Sequence, residues 1–382
     1  MKEWNILENG MIKLLGRFDR DAGHFYMDWT GSGIEFIVQG AHAEVQMTAV
    51  NDGKEQWVLF ELDGQPSSRI RLLDGTHWYT LLDSRGHADD RTLIPAARRR
   101  LRIYKESQAN YSELNSTTTC DRIRTDGELC APPVRKKIEF IGDSLTSGEG
   151  TVSPRFTDIG SSVSIDEWSS TYYGWTGCTS RLLDADYQVV SQGGWGVYCG
   201  WDNNRITNIP SIYDRICGII LPPWAAARGA DKPYDFSFHP DVIVVNLGTN
   251  DDSAFHQPPW KHPVTGELFK QHQIDEETNP DSDEYIESDK EKVVQSIVDF
   301  VRLLVEKNPQ TPIFWAYGMM RHTLWPTIEK AKGILHELGI TQFETILLPD
   351  ASGAELGSNN HPLSVSHEIC AKVVADRIRS IL

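Results

Sequence analysis

The sequence predicts two domains of different fold class: an N-terminal antiparallel β-sandwich over residues 1–131, and a three-layer α/β/α domain over residues 132–382. Three observations support this division. The first third of the chain alternates apolar and polar residues in short runs, whereas the remainder alternates uninterrupted apolar runs with helical patterns. A polar segment punctuated by prolines separates the two regions. A length of 382 residues also fits about two domains.

The N-terminal region has the alternation of half-buried antiparallel strands. Its spacing of roughly ten residues per strand, without a helical period between strands, is typical of a β-sandwich rather than of β-α units. Strands are predicted at 33–39, 43–50, 57–64, 77–83 and 99–105. The segment 107–134 is polar and then contains Pro132 and Pro133, so we place the domain boundary near residue 130.

The second region has short runs rich in Ile, Val and Phe, the composition of strands buried on both faces. These strands are predicted at 136–142, 187–191, 241–248, 311–318 and 344–349. Helices are predicted at 288–307, where Ser288 and Glu291 form a capping box, and at 364–381. Strands that alternate with helices predict a parallel sheet, whose ligand site lies beyond the carboxyl ends of the strands.

Composition excludes several function classes. With 37 Lys and Arg against 54 Asp and Glu, the net charge is −17, which gives no attraction for nucleic-acid phosphates or for anionic lipid. The first residues contain no apolar run of a signal peptide, so the expectation is a cytoplasmic protein. The six cysteines show no zinc-binding spacing, and no metal or other cofactor is expected. An acidic stretch at 251–291 is long for a loop and predicts a lid or an insertion.

A serine follows the first strand of the second domain, in Gly142-Asp143-Ser144-Leu145-Thr146-Ser147-Gly148. A serine at a strand end, flanked by glycines that let backbone amides approach a substrate, is a candidate nucleophile if a base lies within reach. The alternative is a tight turn in which Asp143 and Ser144 make only local hydrogen bonds. Motifs at the other strand ends favour the nucleophile.

Glycine and asparagine follow the next two strands, at Gly194 within Gly193-Gly194-Trp195-Gly196 and at Asn250 within Gly248-Thr249-Asn250-Asp251. A backbone amide and a side-chain amide are donors that a tetrahedral oxyanion needs. His361 precedes the final helix, where an imidazole can serve as general base. His367, one turn inside that helix, is the competing histidine.

These blocks resemble the SGNH/GDSL hydrolase superfamily over roughly 135–382. More narrowly, the chain resembles the two-domain acetyl esterases of carbohydrate esterase family two, which pair a jelly-roll β-sandwich with a flavodoxin-like SGNH domain. The resemblance rests on GRFD at 16–19, WTGSGIEF at 29–36, IEFIGDSLTSGEG at 138–150, DVIVVNLGTND at 241–251 and FWAYGMM at 314–320. It implies Ser144 as nucleophile, His361 as base, and the Ser144 amide, Gly194 and Asn250 as oxyanion donors.

The chain departs from this pattern before the histidine. Many SGNH enzymes have an aspartate three residues before the catalytic histidine, to orient the imidazole. That position is Ser358 here. Some members of the resembled family also lack the aspartate and orient the histidine with a backbone carbonyl, so a dyad of Ser144 and His361 is the first expectation. Glu355 or Asp350 is the alternative third member.

Tryptophan is frequent beside these blocks, and aromatic faces stack well on sugar rings. Trp195 and Asp143 are the expected substrate-lining residues. The leading hypothesis is a serine esterase that removes acetyl groups from xylo- or manno-oligosaccharides through an acetyl-enzyme. A short-chain acyl thioesterase or lysophospholipase-type hydrolase and a non-catalytic sugar-binding protein are the alternatives. The sequence leaves the oligomeric state, including a homo-oligomer, open.

Overall fold

A computed structural model of the chain describes residues 1–84, 98–154, 164–352 and 355–382. The chain divides into two compact units. Unit 1 contains Met1–Arg135, Ser162–Tyr172 and Asp214–Tyr234, and unit 2 contains Lys136–Ser161, Tyr173–Tyr213 and Asp235–Leu382. The main chain therefore returns twice to unit 1 after leaving it. The predicted division into 1–131 and 132–382 assigns both returning segments to the second domain, and it stays a prediction.

Strands and helices are numbered along the chain through both units. The strands are β1 (Lys2–Asn5), β2 (Lys13–Leu15), β3 (Gly33–Gln39), β4 (His42–Asn51), β5 (Trp57–Leu62), β6 (Gln65–Arg71), β7 (Gly75–Asp83), β8 (Arg98–Lys105), β9 (Ser116–Thr125), β10 (Glu128–Cys130), β11 (Lys137–Gly142), β12 (Asp186–Ser191), β13 (Val242–Asn246), β14 (Trp260–Lys261), β15 (Leu268–Phe269), β16 (Ile313–Tyr317) and β17 (Phe343–Leu347). The helices are α1 (Ser144–Ser147), α2 (Ile165–Trp168), α3 (Trp175–Leu182), α4 (Trp224–Arg228), α5 (Thr249–Ala254), α6 (Glu287–Lys307), α7 (Trp325–Glu337) and α8 (Ser364–Ile378).

Unit 1 is built on two antiparallel sheets. One has the strand order β1-β9-β4-β7, and the other has the order β10-β3-β8-β5-β6 with β2 beside β3. Side chains from both sheets, including Phe36, Val45 and Ile103, belong to one hydrophobic core. Two antiparallel sheets around one core are what the alternating pattern predicts. The finer jelly-roll topology stays a prediction.

Strand β9 lies where the sequence predicted a connection between domains, and that prediction is wrong. Its residues, STTTCDRIRT, lie inside the polar segment interpreted as an interdomain connection, yet they pair with both β1 and β4. Threonine is polar on a hydropathy scale, but its branched Cβ favours the extended backbone. Cys120 and Ile123 of this strand reach the core, and Thr118 is buried. Backbone preference and packing therefore outweigh low hydropathy here.

Unit 2 contains a five-stranded parallel sheet in the order β12-β11-β13-β16-β17. Every residue of β13 and β16 is buried, as their continuous apolar runs predict. Helix α3 contacts α8, and α6 contacts α7. The predicted α/β class is confirmed. Counted along the chain, the five strands have the flavodoxin-like order 2-1-3-4-5, so the order reverses between β11 and β13, where a ligand site is expected.

Helix α6 begins at Glu287, one residue earlier than predicted, and its N-cap Ile286 makes no side-chain capping bond. The predicted capping box is therefore wrong. Glu291 instead pairs with Lys330 of α7, and Lys330 also contacts Glu287 at 3.2 Å. Helix α8 ends at Ile378, before the predicted end.

The acidic stretch 251–291 includes part of α5 and the short hairpin β14–β15. It is tied back to α5 by the Tyr285 hydroxyl, which donates to Asp252 Oδ1 at 2.7 Å, and by stacking of Tyr285 on Phe255. Across the described residues, each helix is too short or too polar to span a membrane. In the same part of the chain, no three His, Cys, Asp or Glu side chains group as a metal site requires.

Candidate active site

Ser144 lies directly after β11, at the first position of α1. Asp143 caps this helix, because its Oδ1 accepts the Leu145 N–H at 3.0 Å. Gly142 is required by packing, since a Cβ there would lie 2.0 Å from Thr146 Oγ1 and 2.6 Å from the carbonyl of Asn246. The strand, the glycine and the cap together place the Ser144 hydroxyl at the edge of the sheet where the strand order reverses.

His361 is hydrogen-bonded to that hydroxyl. Its Nε2 lies 2.7 Å from Ser144 Oγ, and its Nδ1 lies 3.2 Å from the carbonyl oxygen of Asn359. Because a carbonyl only accepts, Nδ1 carries the hydrogen and Nε2 is left to accept from the serine. The tautomer suits a general base.

The carbonyl of Asn359 reaches His361 because the preceding turn has an unusual backbone. Asn359 and Asn360 have φ angles of 53° and 57°, the left-handed region that asparagine tolerates better than most residues. We call residues 357–361 the base turn. A main-chain acceptor therefore orients the imidazole, as the resemblance to esterases without the aspartate implies.

Two backbone donors lie in the neighbourhood of the serine. Among the hydrogen bonds of the described residues, neither the Ser144 N–H nor the Gly194 N–H donates to a protein acceptor. Gly194 has a φ of +81° in a turn closed by Trp195 N–H donating to Gln192 at 3.3 Å. These amides remain available for an oxyanion.

Asn250 projects from α5, which follows β13 on the other side of the reversal point. Its Nδ2 donates to the Trp195 carbonyl at 2.9 Å and to Asp143 Oδ2 at 3.1 Å. The two N–H bonds of this amide therefore already have protein acceptors, and an oxyanion must replace one of them. Burial raises the pKa of Asp143 to about 8, and the nearby Asp251 and Glu149 carboxylates add to this effect.

We call residues 193–199 the oxyanion loop. Asp251, for which the sequence predicted no role, anchors this loop. Its buried carboxylate accepts the N–H groups of Val197 at 2.9 Å, Tyr198 at 2.7 Å and Cys199 at 3.1 Å. Burial raises the pKa of Asp251, while these three hydrogen bonds oppose the rise. Asn250 and Asp251 both contact this loop, since Asn250 binds the Trp195 carbonyl and Asp251 binds the N–H groups that follow it.

The alternative third members of the triad lie elsewhere. Asp350 Oδ1 is 3.2 Å from His322 Nε2, and Glu355 Oε2 accepts the Ser352 N–H at 3.3 Å. The structure brings neither carboxylate to His361. Glu149, a residue that the sequence did not single out, has its Oε1 3.9 Å from His361 Nδ1.

The competing histidine is engaged differently. His367 Nδ1 accepts the Trp175 N–H at 3.1 Å inside the core. Burial lowers the pKa of His367 to about 3, and the nearby His361 contributes to this effect. It is a neutral packing residue in this structure.

The expected aromatic wall differs from the arrangement observed. Trp195 is only 4% exposed and offers its carbonyl to Asn250, whereas Trp201 is 49% exposed. The backbone N–H of Trp201 donates to the Gly194 carbonyl at 3.0 Å. The indole ring of Trp201 lies 3.1 Å from the position that a Cβ on Gly194 would occupy. The exposed indole beside the oxyanion loop is therefore Trp201.

Comparisons with known proteins identify relatives of this chain. No family model matches the chain. The solved structure of an acetyl xylan esterase, Est2A, from the rumen bacterium Butyrivibrio proteoclasticus is 32% identical, with a TM-score of 0.91 over 99% of this chain and 98% of that one. A family two carbohydrate esterase from Clostridium thermocellum, solved with cellohexaose, has the same fold at 22% identity and a TM-score of 0.72 over 97% of this chain and 98% of that one.

Among curated relatives, the cellulase/esterase CelE of Acetivibrio thermocellus is 28% identical over 254 residues. The match covers 65% of this chain and 27% of CelE, so the matched part spans about a quarter of that relative's length. The match to Est2A is different, because it extends over nearly the full length of both chains. On the strength of that match, the chain belongs to carbohydrate esterase family 2.

Proposed function

We propose that this chain is a serine esterase that removes O-acetyl groups from carbohydrates, specifically acetylated xylo- or manno-oligosaccharides, through an acetyl-enzyme. The observation that carries the proposal is the 2.7 Å separation of Ser144 Oγ and His361 Nε2. A hydroxyl within hydrogen-bond reach of an oriented base is the arrangement that nucleophilic acyl transfer requires.

In the first step, Ser144 Oγ attacks the acetyl carbonyl while His361 Nε2 takes the hydroxyl proton. The carbonyl oxygen becomes an oxyanion in the tetrahedral intermediate. His361 then gives the proton to the departing sugar oxygen, and the ester bond to the sugar breaks. The products are a free sugar hydroxyl and an acetyl group on Ser144.

In the second step, water attacks the acetyl-enzyme and His361 takes its proton. The tetrahedral intermediate collapses, the proton returns to Ser144 Oγ, and acetic acid is released. The Asn359 carbonyl accepts the Nδ1 hydrogen throughout, so the imidazole keeps one orientation in both steps.

The oxyanion is stabilised by the N–H groups of Ser144 and Gly194 and by Asn250 Nδ2. The first two donors have no protein acceptor among the described residues, so donation to substrate breaks no existing bond. Asn250 is different, because it must exchange its bond to Trp195 or Asp143. This exchange makes Asn250 a donor that responds to substrate.

The preference for a carbohydrate is supported by the site and by the relatives. A 32% identical relative is named an acetyl xylan esterase, and a structure of the same fold was solved with cellohexaose. The exposed Trp201 provides an aromatic surface beside Gly194 on which a sugar ring can stack. The 2.7 Å pair argues against a non-catalytic sugar-binding role.

The test is an activity screen of the purified chain on acetylated xylo- and manno-oligosaccharides, acetyl-CoA and p-nitrophenyl esters of increasing acyl length. We expect acetyl-sugar turnover that Ser144→Ala abolishes, with little turnover of acetyl-CoA or long acyl chains. Full activity in Ser144→Ala, or a preference for the thioester, would contradict the proposal. Trp201→Ala tests the substrate class, since it should raise KM for the oligosaccharide about tenfold but leave KM for p-nitrophenyl acetate unchanged.

A further inference from the structure

A carboxylate enters the site from the segment that follows the nucleophile. Glu149 lies five residues after Ser144, and its Oε1 is 3.9 Å from His361 Nδ1. The two side chains are 10% and 14% exposed, so solvent screens their interaction only weakly. In the described part of the chain, no other carboxylate makes an ion-pair contact with this histidine.

Two glycines make this approach sterically feasible. Gly148 ends α1 with a φ of +79°, and Gly150 follows Glu149 with a φ of +75°. A Cβ on Gly150 would lie 2.7 Å from the Cβ of His361, closer than any real side chain tolerates. The backbone around Glu149 is therefore shaped to lie against the catalytic histidine.

The same segment is also tied to the base turn by hydrogen bonds. Ser358 N–H donates to Ser153 Oγ at 2.7 Å, and this hydroxyl donates to the Gly150 carbonyl at 2.9 Å. Ser364 N–H donates to the Thr151 carbonyl at 3.0 Å. Ser358, which stands where many related enzymes have an aspartate, is thus part of the link that holds the two segments together.

The orientation of His361 and the charge next to it come from different residues. Nδ1 donates to Asn359 at 3.2 Å, so the Glu149 oxygen at 3.9 Å acts on the imidazole by its charge rather than by a hydrogen bond. Among the described residues, His367 of α8 also faces His361, and it is neutral because burial lowers its pKa to about 3. Asp143, next to Ser144, interacts with the Glu149 carboxylate, and burial raises the pKa of Asp143 to about 8. Ser144, on α1, is neutral before it reacts.

From these contacts we infer that Glu149 is a positioning residue for His361: its carboxylate stabilises the imidazolium formed when the histidine takes the Ser144 proton. Glu149, which follows Ser144 in the chain, supplies the negative charge that Ser358 does not. This inference rests on the proposed esterase function. It names a charge partner that neither Glu355 nor Asp350 provides.

The test is Glu149→Gln, which keeps the shape of the side chain and removes its charge. We expect kcat on an acetylated oligosaccharide to fall about 10- to 100-fold with little change in KM, because the imidazolium exists only as the reaction proceeds. The acid limb of the rate profile should move to lower pH, since the variant lacks the negative charge that favours the imidazolium.

The matched variants are Glu149→Asp and Glu355→Gln. Glu149→Asp keeps the charge, so its acid limb should stay close to that of the unaltered protein. Glu355→Gln removes a carboxylate bonded to Ser352 and should leave the limb in place. An unchanged kcat in Glu149→Gln, or a reduced kcat with an unmoved limb, would overturn the inference, as would a limb shift in Glu355→Gln.

The folding of each variant is measured separately from its activity. If Glu149→Gln fails to fold by circular dichroism, Glu149→Asp and Glu355→Gln decide together. A retained kcat with an unmoved acid limb in both variants supports the inference, and a limb shift in either variant overturns it. Loss of activity in Ser144→Ala combined with no effect of Glu149→Gln would reject only this inference. Activity in Ser144→Ala would reject the proposed function itself.

Discussion

The oxyanion loop (193–199) and the base turn (357–361) converge on Ser144 but are held in opposite ways. The oxyanion loop is held by a side chain, since the Asp251 carboxylate accepts three of its backbone N–H groups. The base turn works through main-chain atoms: the Asn359 carbonyl orients His361, and Ser358 N–H binds Ser153. Among the described residues, the carboxylate nearest to His361 is that of Glu149, at 3.9 Å.

A buried carboxylate serves two different purposes in this site. A carboxylate in contact with three N–H groups is compensated by them, and it rigidifies backbone that must not move. A carboxylate near an imidazole changes the energy of one protonation state instead. The chain therefore uses one acid to hold the donors and leaves the acceptor of the His361 hydrogen to the backbone.

The largest effect is expected from the base itself. His361→Ala should reduce kcat by roughly 10⁴-fold or more, because no other group within the described site can take the Ser144 proton. Steady-state kinetics on p-nitrophenyl acetate measure the loss. His322→Asn is the control, since His322 binds the Leu348 carbonyl and Asp350 rather than the serine. Comparable losses in both variants would mean that the base turn does not supply the base.

The next effect concerns the anchor of the oxyanion loop. Asp251→Asn leaves one accepting oxygen where the carboxylate has two, so at least one N–H of the loop loses its partner. We expect kcat to fall about 100-fold with a smaller change in KM, similar to the loss of one oxyanion donor. Asp202→Asn is the matched control, since the Asp202 carboxylate accepts the Asn204 N–H at 3.2 Å. Equal kcat values in the two variants would break the contrast between the loops.

Asp252, the residue after Asp251 on α5, should make the free energy of unfolding depend on pH. Burial raises the pKa of Asp252 to about 6, so the folded state holds this proton more tightly than the unfolded chain does. Its stabilising contribution is complete below about pH 4 and is lost as the pH rises through about 6. The Asp252→Asn variant does not lose stability in this way, because an amide does not titrate. Tyr285 can still donate to the amide oxygen.

Urea unfolding at pH 4 and pH 7 measures this effect. The free energy of unfolding of Asp252→Asn, relative to the unaltered protein, should rise by about 2 to 3 kcal/mol between the two pH values. A difference that is constant with pH would show that Asp252 does not titrate in this range.

The smallest effect is expected at the turn that orients the base. Asn359→Ala places alanine at a φ of 53°, which is unfavourable by about 1 to 2 kcal/mol, and should displace the carbonyl that accepts from His361. We expect about a tenfold loss of kcat, while Asn359→Gly, which relieves this strain, should retain most of the activity. If glycine were as damaging as alanine, the asparagine side chain rather than the main chain would be responsible.

The sequence predicted the α/β domain well because its strands are buried on both faces and read as continuous apolar runs. Ser144, Asn250 and His361 were named from positions that follow strands or precede a helix, and parallel topology then brings such positions together. These predictions depend on local patterns. Strand β9 was missed because its threonines hide a buried strand behind a polar composition.

Other features depend on contacts that no local pattern reveals. Glu149 meets His361 only because residues 148–153 pack on the base turn, which lies about 200 residues later in the sequence. The sequence favoured Trp195, between two glycines, as the substrate-lining indole, and only packing shows that Trp195 is buried and Trp201 exposed. The capping box at Ser288 failed because the helix begins at Glu287, which places Ser288 inside the first turn, and Glu291 pairs with Lys330 of α7.

The main-chain acceptor at Asn359 also has an evolutionary consequence. A carbonyl group is present whatever the side chain, so the base turn can change sequence and still orient His361, provided that its left-handed backbone is preserved. Such a turn can diversify its side chains without inactivating the enzyme. A search that requires an acidic residue beside the histidine would therefore overlook active esterases of this kind.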